Sequence, residues 1–245
     1  VLSQRYRLGR AQSGDKVDRN YYLQYDRAED SAGNFSSTAN ALTANYAWAQ
    51  RNFDSLPFPS AGYGLGAEVG GGATLGDAHQ PFFRAQVRWL GLWTPGAARP
   101  GSRAAARNAR VALRAEGGMV LARAGVDLPS TQLFLTGGDT SVRGYGYRSI
   151  GSELPDGTTA AGRYLATGSV EWQRPIVVND RLTAWESTVF IDAGAVADKP
   201  GDMRAKVGIG AGARWRSPVG PLQMDLAYGL ATREWRLHLN VGFTF

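Results

Sequence analysis

Few residues in this chain have the chemistry for catalysis. Histidine occurs twice (His79 and His238) and cysteine is absent, which excludes disulfides, zinc–thiolate centres and cysteine nucleophiles together. No Gly-x-Ser-x-Gly stretch supplies a nucleophile elbow. His79 falls in a turn and His238 on the polar side of the last alternating run, where a histidine reads as an ordinary polar residue. The glycine runs Gly62–Gly72 and Gly208–Gly212 precede no helix and so cradle no phosphate; within strands they read as thin, bendable sections. The stretch that stands apart is Gly137–Tyr147. It holds four glycines, two tyrosines and one arginine in eleven residues. An arginine there offers a planar fork that grips carboxylates with two parallel hydrogen bonds, and Gly144 and Gly146 let the backbone take positive φ. This chemistry is recognition by charge, with no covalent step, no metal and no cofactor.

Period-two alternation supplies the elements that would position such a loop. Phe83, Ala85, Val87 and Trp89 alternate with Arg84, Gln86 and Arg88. Val111, Leu113, Ala115 and Met119 oppose Arg110, Arg114 and Glu116. Val170 and Trp172 face away from Ser169, Glu171 and Gln173, and Val189 and Ile191 oppose Glu186, Thr188 and Asp192. Val207 to Trp215 alternates with glycines and Arg214, and Leu222, Met224, Leu226 and Tyr228 alternate with Gln223, Asp225 and Ala227. Finally Trp235, Leu237, Leu239, Val241, Phe243 and Phe245 alternate with Arg236, His238, Asn240, Gly242 and Thr244. Counted along the whole chain, this makes about eleven strands of roughly ten residues, the length of tilted membrane-crossing strands. No segment keeps a 3.6-residue period. A water-soluble sandwich would use shorter strands around an apolar core. Here one face is apolar and the other carries Arg, Glu, Asp, Asn and Gly, which predicts an all-β antiparallel transmembrane barrel with a wet lumen. The segment Arg123 to Arg163 lacks alternation, and long irregular segments inside ordered domains are usually functional.

The bulk numbers agree with that class. Net charge is +6, but the arginines are spread along alternate strand positions without the clustering of a nucleic-acid-binding face. No continuous apolar run reaches the ~20 residues of a spanning helix, and a mean hydropathy of -0.28 suits a barrel in which only alternate residues meet lipid. Single-chain barrels carry an even number of strands and must leave no edge open in lipid. An odd count that starts in mid-strand at Val1 predicts that residues 1–245 are the C-terminal part of a larger barrel. With a periplasmic C-terminus, the connections Ala231–Glu234, Ala197–Met203 and Arg123–Arg163 lie outside and the tight turns Ser217–Pro221 and Val178–Leu182 inside, as expected of such barrels; only Thr94–Ala106 is long for its side.

Five ordered stretches carry a family resemblance. Gly137-Gly-Asp-Thr-Ser-Val-Arg-Gly-Tyr145 resembles the Val-Arg-Gly-Phe/Tyr loop motif of the BamA/TamA superfamily of outer-membrane assembly and translocation barrels. Leu165–Trp172, Val189–Val196, Gly210–Pro221 and the aromatic run ending at Phe245 agree in order and spacing, and the Ser217–Pro221 turn with Thr167–Glu171 looks closest to TamA. The resemblance implies a barrel of roughly sixteen strands preceded by periplasmic POTRA domains, of which the first strands and all POTRA domains are absent from this sequence. It implies a long loop folded into the lumen, so that Arg143, flanked by Val142, Gly144 and Tyr145, meets the inward carboxylates Glu171 and Asp192 and clamps the loop to the wall. Those two carboxylates could imitate an acid–base pair, but a neighbouring arginine makes them charge partners instead. It also implies that Trp235, Leu237, Leu239, Val241, Phe243 and Phe245 serve as the terminal-strand insertion signal and one side of a lateral gate. The implied partners are outer-membrane lipid or lipopolysaccharide, unfolded outer-membrane or autotransporter proteins and a TamB-like periplasm-spanning protein. The competing readings are a two-partner secretion transporter, the barrel anchor of a patatin-type phospholipase, and a passive diffusion porin.

Overall fold

Alternation of apolar and polar residues becomes a curved antiparallel sheet with two chemically different faces. The computed structural model describes residues 2–32, 35–56, 58–76, 79–96, 107–154, 157–217 and 220–242. The strands are β1 (Leu2–Ser13), β2 (Val17–Ala32), β3 (Phe35–Phe53), β4 (Gly62–Thr74), β5 (Pro81–Trp93), β6 (Arg110–Ala122), β7 (Ser152–Glu153), β8 (Thr159–Ala160), β9 (Tyr164–Val178), β10 (Arg181–Ala197), β11 (Lys206–Ser217), β12 (Gly220–Gly229) and β13 (Glu234–Val241). All but β7 and β8 belong to one eleven-stranded sheet in which each strand pairs with its neighbour along the chain. β7 and β8 form a separate two-residue hairpin within the long segment between β6 and β9, so that segment is less irregular than its lack of alternation predicts.

Strand length departs from the expected ten residues. β3 runs 19 residues and β13 only 8, so the longer strands reach past the thickness that ~10 tilted residues cross. The outer face is the apolar one: Leu23, Val87, Val170, Val189, Ile191 and Leu226 are exposed, as lipid-facing residues must be. Local features follow from residue type. Asn179 and Asp180 both have positive φ and join β9 to β10 in a two-residue turn, the arrangement that matches strand twist and that Asn and Asp tolerate. Pro175, which has no N–H for the ladder, sits beside a register shift between Leu182 and Glu186.

The inner face differs from a uniformly wet lumen. The segment 123–163 lies against it and buries an apolar cluster inside the sheet's curve. Leu128 and Phe134 from the loop pack with Phe82 of β5, Val120 of β6, Leu165 of β9 and Val196 of β10. Gly118 of β6 makes room for the Phe134 ring, which lies 2.5 Å from where a Cβ would stand. Polar contacts carry the loop to both flanks of the sheet. On one side Arg5 of β1 donates to the Thr131 carbonyl at 2.6 Å, and the Gln132 amide donates to Asp26 of β2 at 2.5 Å. On the other it reaches β12 and β13. The loop is therefore a chord across the lumen, and its tip is the glycine-rich stretch.

Candidate functional site

The tip is shaped by its own backbone before it meets the wall. Gly137, Gly138 and Gly144 all have φ near +100° (106°, 111° and 91°), a region closed to most L side chains. The Gly138 N–H donates to the Val142 carbonyl and the Arg148 N–H to the Gly137 carbonyl, each at 3.1 Å. The resulting tight loop fixes Val142, Arg143 and Tyr145 pointing outward from the turn, into the inner face of β9–β13. Val142 is fully buried over Gly194 of β10, where a Cβ would come within 2.6 Å of it.

Arg143 is 1% exposed and uses its whole fork. Nε and Nη2 donate to the two oxygens of Asp192 at 2.7 and 2.9 Å, and the Arg143 backbone N–H donates to Asp192 Oδ2 at 3.0 Å. Nη1 donates to Glu171 Oε2 at 2.6 Å and to Asp225 Oδ2 at 2.9 Å. The guanidinium also lies 3.4 Å above the centre of the Phe190 ring, a cation–π contact in a desolvated place. Burial acts to lower the pKa of this arginine. The hydrogen bonds to Asp192 and the charges of Glu171, Asp192 and Asp225 outweigh burial and hold it above its ordinary value.

The structure thus brings Arg143 to both carboxylates expected from alternation, Glu171 on β9 and Asp192 on β10, and adds partners that sequence reasoning missed. Asp225 on β12 is the third carboxylate. Arg214 on β11 is a second cation, donating to Asp225 Oδ1 at 2.5 Å and to the Glu171 oxygens at 2.9 and 3.0 Å. Ser169 donates to Asp192 Oδ1 at 2.6 Å, and Gln173 to Glu171 Oε1 at 2.8 Å. Each carboxylate therefore has several donors, the condition under which buried charge is tolerated. His238 of β13 accepts the Gly144 N–H through Nε2 at 2.9 Å. Tyr145, 2% exposed, donates its hydroxyl to the Val207 carbonyl at 3.0 Å and accepts the Ala231 N–H at 3.1 Å. The clasp spans β9 through β13.

The glycine run of β11 has a more specific role than bendability. A Cβ on Gly208 would stand 1.8 Å from the Arg143 carbonyl oxygen, one on Gly210 2.5 Å from the Phe190 ring and one on Gly212 1.9 Å from Asp225 Oδ1. Gly229 of β12 likewise faces the Gly144 carbonyl at 2.5 Å. These glycines form the depression into which the loop backbone and its charge partners sink.

Trp235, Leu237, Leu239 and Val241 occupy outward positions of β13 and are 62–66% exposed; they do not join the clasp. Phe243 and Phe245 lie outside the described residues. His79 is exposed in the β4–β5 turn. Nearer the opposite mouth, a second charge cluster went unforeseen. Arg110 of β6 donates to Glu186 Oε2 of β10 at 2.5 Å, to Gln173 at 3.0 Å and to the Pro59 carbonyl at 3.3 Å. Arg216 of β11 also binds Glu186 and lies over the Phe58 ring. The β3–β4 turn thereby folds inward over that end of the lumen. No group of His, Cys, Asp and Glu suited to a metal occurs among the described residues.

Comparison with known proteins places this geometry. The Omp85 superfamily domain matches residues 2–245. Outer envelope protein 39, chloroplastic, of Arabidopsis thaliana is 33% identical over 112 residues, which is 41% of this chain and 27% of that protein. The fold superposes on BamA from Haemophilus ducreyi lacking POTRA domains 1-3 with a TM-score of 0.67 at 19% identity, over 95% of this chain and 52% of that one. It superposes on CdiB from Acinetobacter baumannii with a TM-score of 0.58 at 16% identity, over 98% and 42%. At these identities the structural likeness is one of fold, and the chain spans about half the length, or less, of the proteins it matches.

Proposed function

The chain belongs to the Omp85 superfamily, integral outer-membrane β-barrels, and from that premise we propose that it is the C-terminal part of a TamA-like barrel that inserts or translocates other β-proteins. First strands and POTRA domains would precede it in the whole protein, with a TamB-like protein as periplasmic partner and unfolded outer-membrane or autotransporter proteins as substrates.

The observation that carries this reading is where the clasp ends. Asp225 and His238 tie the loop tip to β12 and β13, and β13 pairs with β12 alone among the described strands. In the whole barrel the outer edge of β13 would meet the first strand at the closing seam, and an incoming extended segment that opens this seam gains main-chain hydrogen bonds by adding to that edge. Outward Trp235, Leu237, Leu239 and Val241 keep that edge at lipid depth, where an unfolded strand most needs backbone partners. The work is a lowering of the insertion barrier, with no bond made or broken. The loop clasp holds the sheet's last strands in a defined curve while the edge exchanges partners.

The test is reconstitution of the full-length protein in liposomes, followed by addition of an unfolded outer-membrane barrel and measurement of the heat-modifiable folded band over time. Faster folding than in empty liposomes is expected, and Arg143→Ala should remove most of the acceleration. Folding no faster than in empty liposomes would overturn the reading. Export of one co-expressed passenger without effect on unrelated barrels would replace it with a dedicated exporter.

A further inference from the structure

We propose that a polar conduit persists beside the loop and that it passes anions in preference to cations, with Arg114 of β6 as its selectivity-determining residue. Two cavities of about 540 and 510 Å³ lie between the loop and the β5–β6–β9 wall. Both are bordered by Glu116, Thr140 and Ser141, so they adjoin one another. One end opens at Tyr147 and Arg148, which are exposed. The other end narrows at Leu90 and Arg114, which border a third, smaller cavity of about 100 Å³ running to the Phe58–Pro59 turn at the opposite mouth. Arg114 therefore stands at the neck.

Its bonding differs from that of four other lumenal arginines. Arg143, Arg214, Arg110 and Arg84 each hold a carboxylate. Among the described residues Arg114 makes one long hydrogen bond, to Ser169 Oγ at 3.3 Å, and its side chain borders the cavities on both sides of the neck. The carboxylates nearby are sealed: Glu171, Glu186, Asp192 and Asp225 are at most 5% exposed and sit behind the guanidinium groups that bind them. The charged side chains bordering the two larger cavities are five arginines (Arg5, Arg84, Arg88, Arg114 and Arg148) against one carboxylate, Glu116, so the lining is predominantly cationic. Charged side chains lining a narrow passage between low-dielectric walls set ionic selectivity.

The inference does not depend on insertase activity. It is read as the reversal potential of the full-length protein in planar bilayers under a KCl gradient, without substrate. A potential of the chloride-preferring sign is expected. Arg114→Gln should lower the chloride-to-potassium permeability ratio roughly fivefold, the effect of one unit charge acting through water at about 4 Å. Thr140→Glu adds a carboxylate on the exposed loop side of the same cavity and leaves the strands untouched, so it tests the point if Arg114→Gln fails to fold; it should abolish or reverse the preference. Absence of any current, a cation-preferring wild type, or an unchanged ratio in folded protein carrying either substitution would overturn the proposal. Loss of insertion with intact selectivity would count against the functional reading alone.

Discussion

Arg143 and Asp192 are joined three times: by Nε, by Nη2 and by the Arg143 backbone N–H, at 2.7 to 3.0 Å. The two side-chain bonds fix the plane of the guanidinium, and the backbone bond fixes where the loop's chain passes β10. A single carboxylate thus determines both charge pairing and loop position.

Removing the guanidinium leaves Glu171, Asp192 and Asp225 facing one another with Arg214, Ser169, Gln173 and the backbone N–H of residue 143 as the donors described for them. Loss of one member of a buried ion pair costs about 3–5 kcal/mol. Arg143→Ala should lower the unfolding midpoint of the detergent-solubilised barrel by that order and expose the loop tip to limited proteolysis. Arg143→Lys keeps the charge but not the fork, so it should recover only part of the loss. Wild-type stability and protease resistance in Arg143→Ala would show that the clasp does not hold the loop.

Gly208 separates steric from electrostatic control of docking. An added Cβ would meet the Arg143 carbonyl oxygen at 1.8 Å, whereas one on Gly71 of β4 meets nothing within 4 Å. Gly208→Ala should destabilise by about 1–3 kcal/mol through overpacking or displace the loop outright, detected as faster hydrogen exchange at Arg143 and Gly144. Gly71→Ala should stay within about 0.5 kcal/mol of wild type, as exposed substitutions usually do. Equal effects from the two would remove the case for a docking groove.

Tyr145 ties the tip to the β12–β13 turn with one hydroxyl that donates to Val207 and accepts from Ala231. Tyr145→Phe keeps the ring's burial and strips both bonds, leaving the Ala231 N–H without this acceptor. A cost of about 1–2 kcal/mol is expected, with faster amide exchange confined to residues 230–233. Exchange unchanged there would mean that the ring alone anchors the loop.

Much of this fold is visible in residue alternation, because a strand with one face in lipid must carry its polar residues on the other. Alternation placed Glu171, Asp192, Arg214 and Asp225 on one face, yet it assigned only the first two to Arg143. Which inward charges meet depends on cross-strand register and on the sheet's curvature, and both are properties of several strands together. The glycines of β11 illustrate the same limit. A strand of alternating glycine reads equally well as a flexible section or as a groove, and only the loop resting at Gly208 decides. The apolar cluster of Leu128, Phe134 and Val120 escaped notice because a lumen face is read as wet. A loop that fills the lumen turns part of that face into a core. The Arg110–Glu186–Arg216 cluster had no sequence signal beyond alternation, since it pairs residues from β6, β10 and β11 around a turn between β3 and β4.

That turn has its own titratable support. Asp54 accepts the N–H groups of Ser60 and Ala61 at 2.9 and 3.2 Å and the Ser60 hydroxyl. Burial raises its pKa, but these hydrogen bonds more than offset it and hold the carboxyl below its ordinary value. The folded pKa is therefore depressed, so the stabilisation is fully present above the unfolded carboxylate value of about 4 and is lost as pH falls through the folded value. Thr94 donates to the Ser60 carbonyl at 2.7 Å and Arg110 to the Pro59 carbonyl at 3.3 Å, so loosening the turn should weaken the cover at that mouth. Amide exchange at Ser60 and Ala61 is expected to accelerate in acid for the wild type beyond the intrinsic effect of pH. Asp54→Asn should be looser than wild type at neutral pH and converge with it in acid. Parallel behaviour of the two proteins across the whole range would show that the ionised carboxylate does not hold the turn.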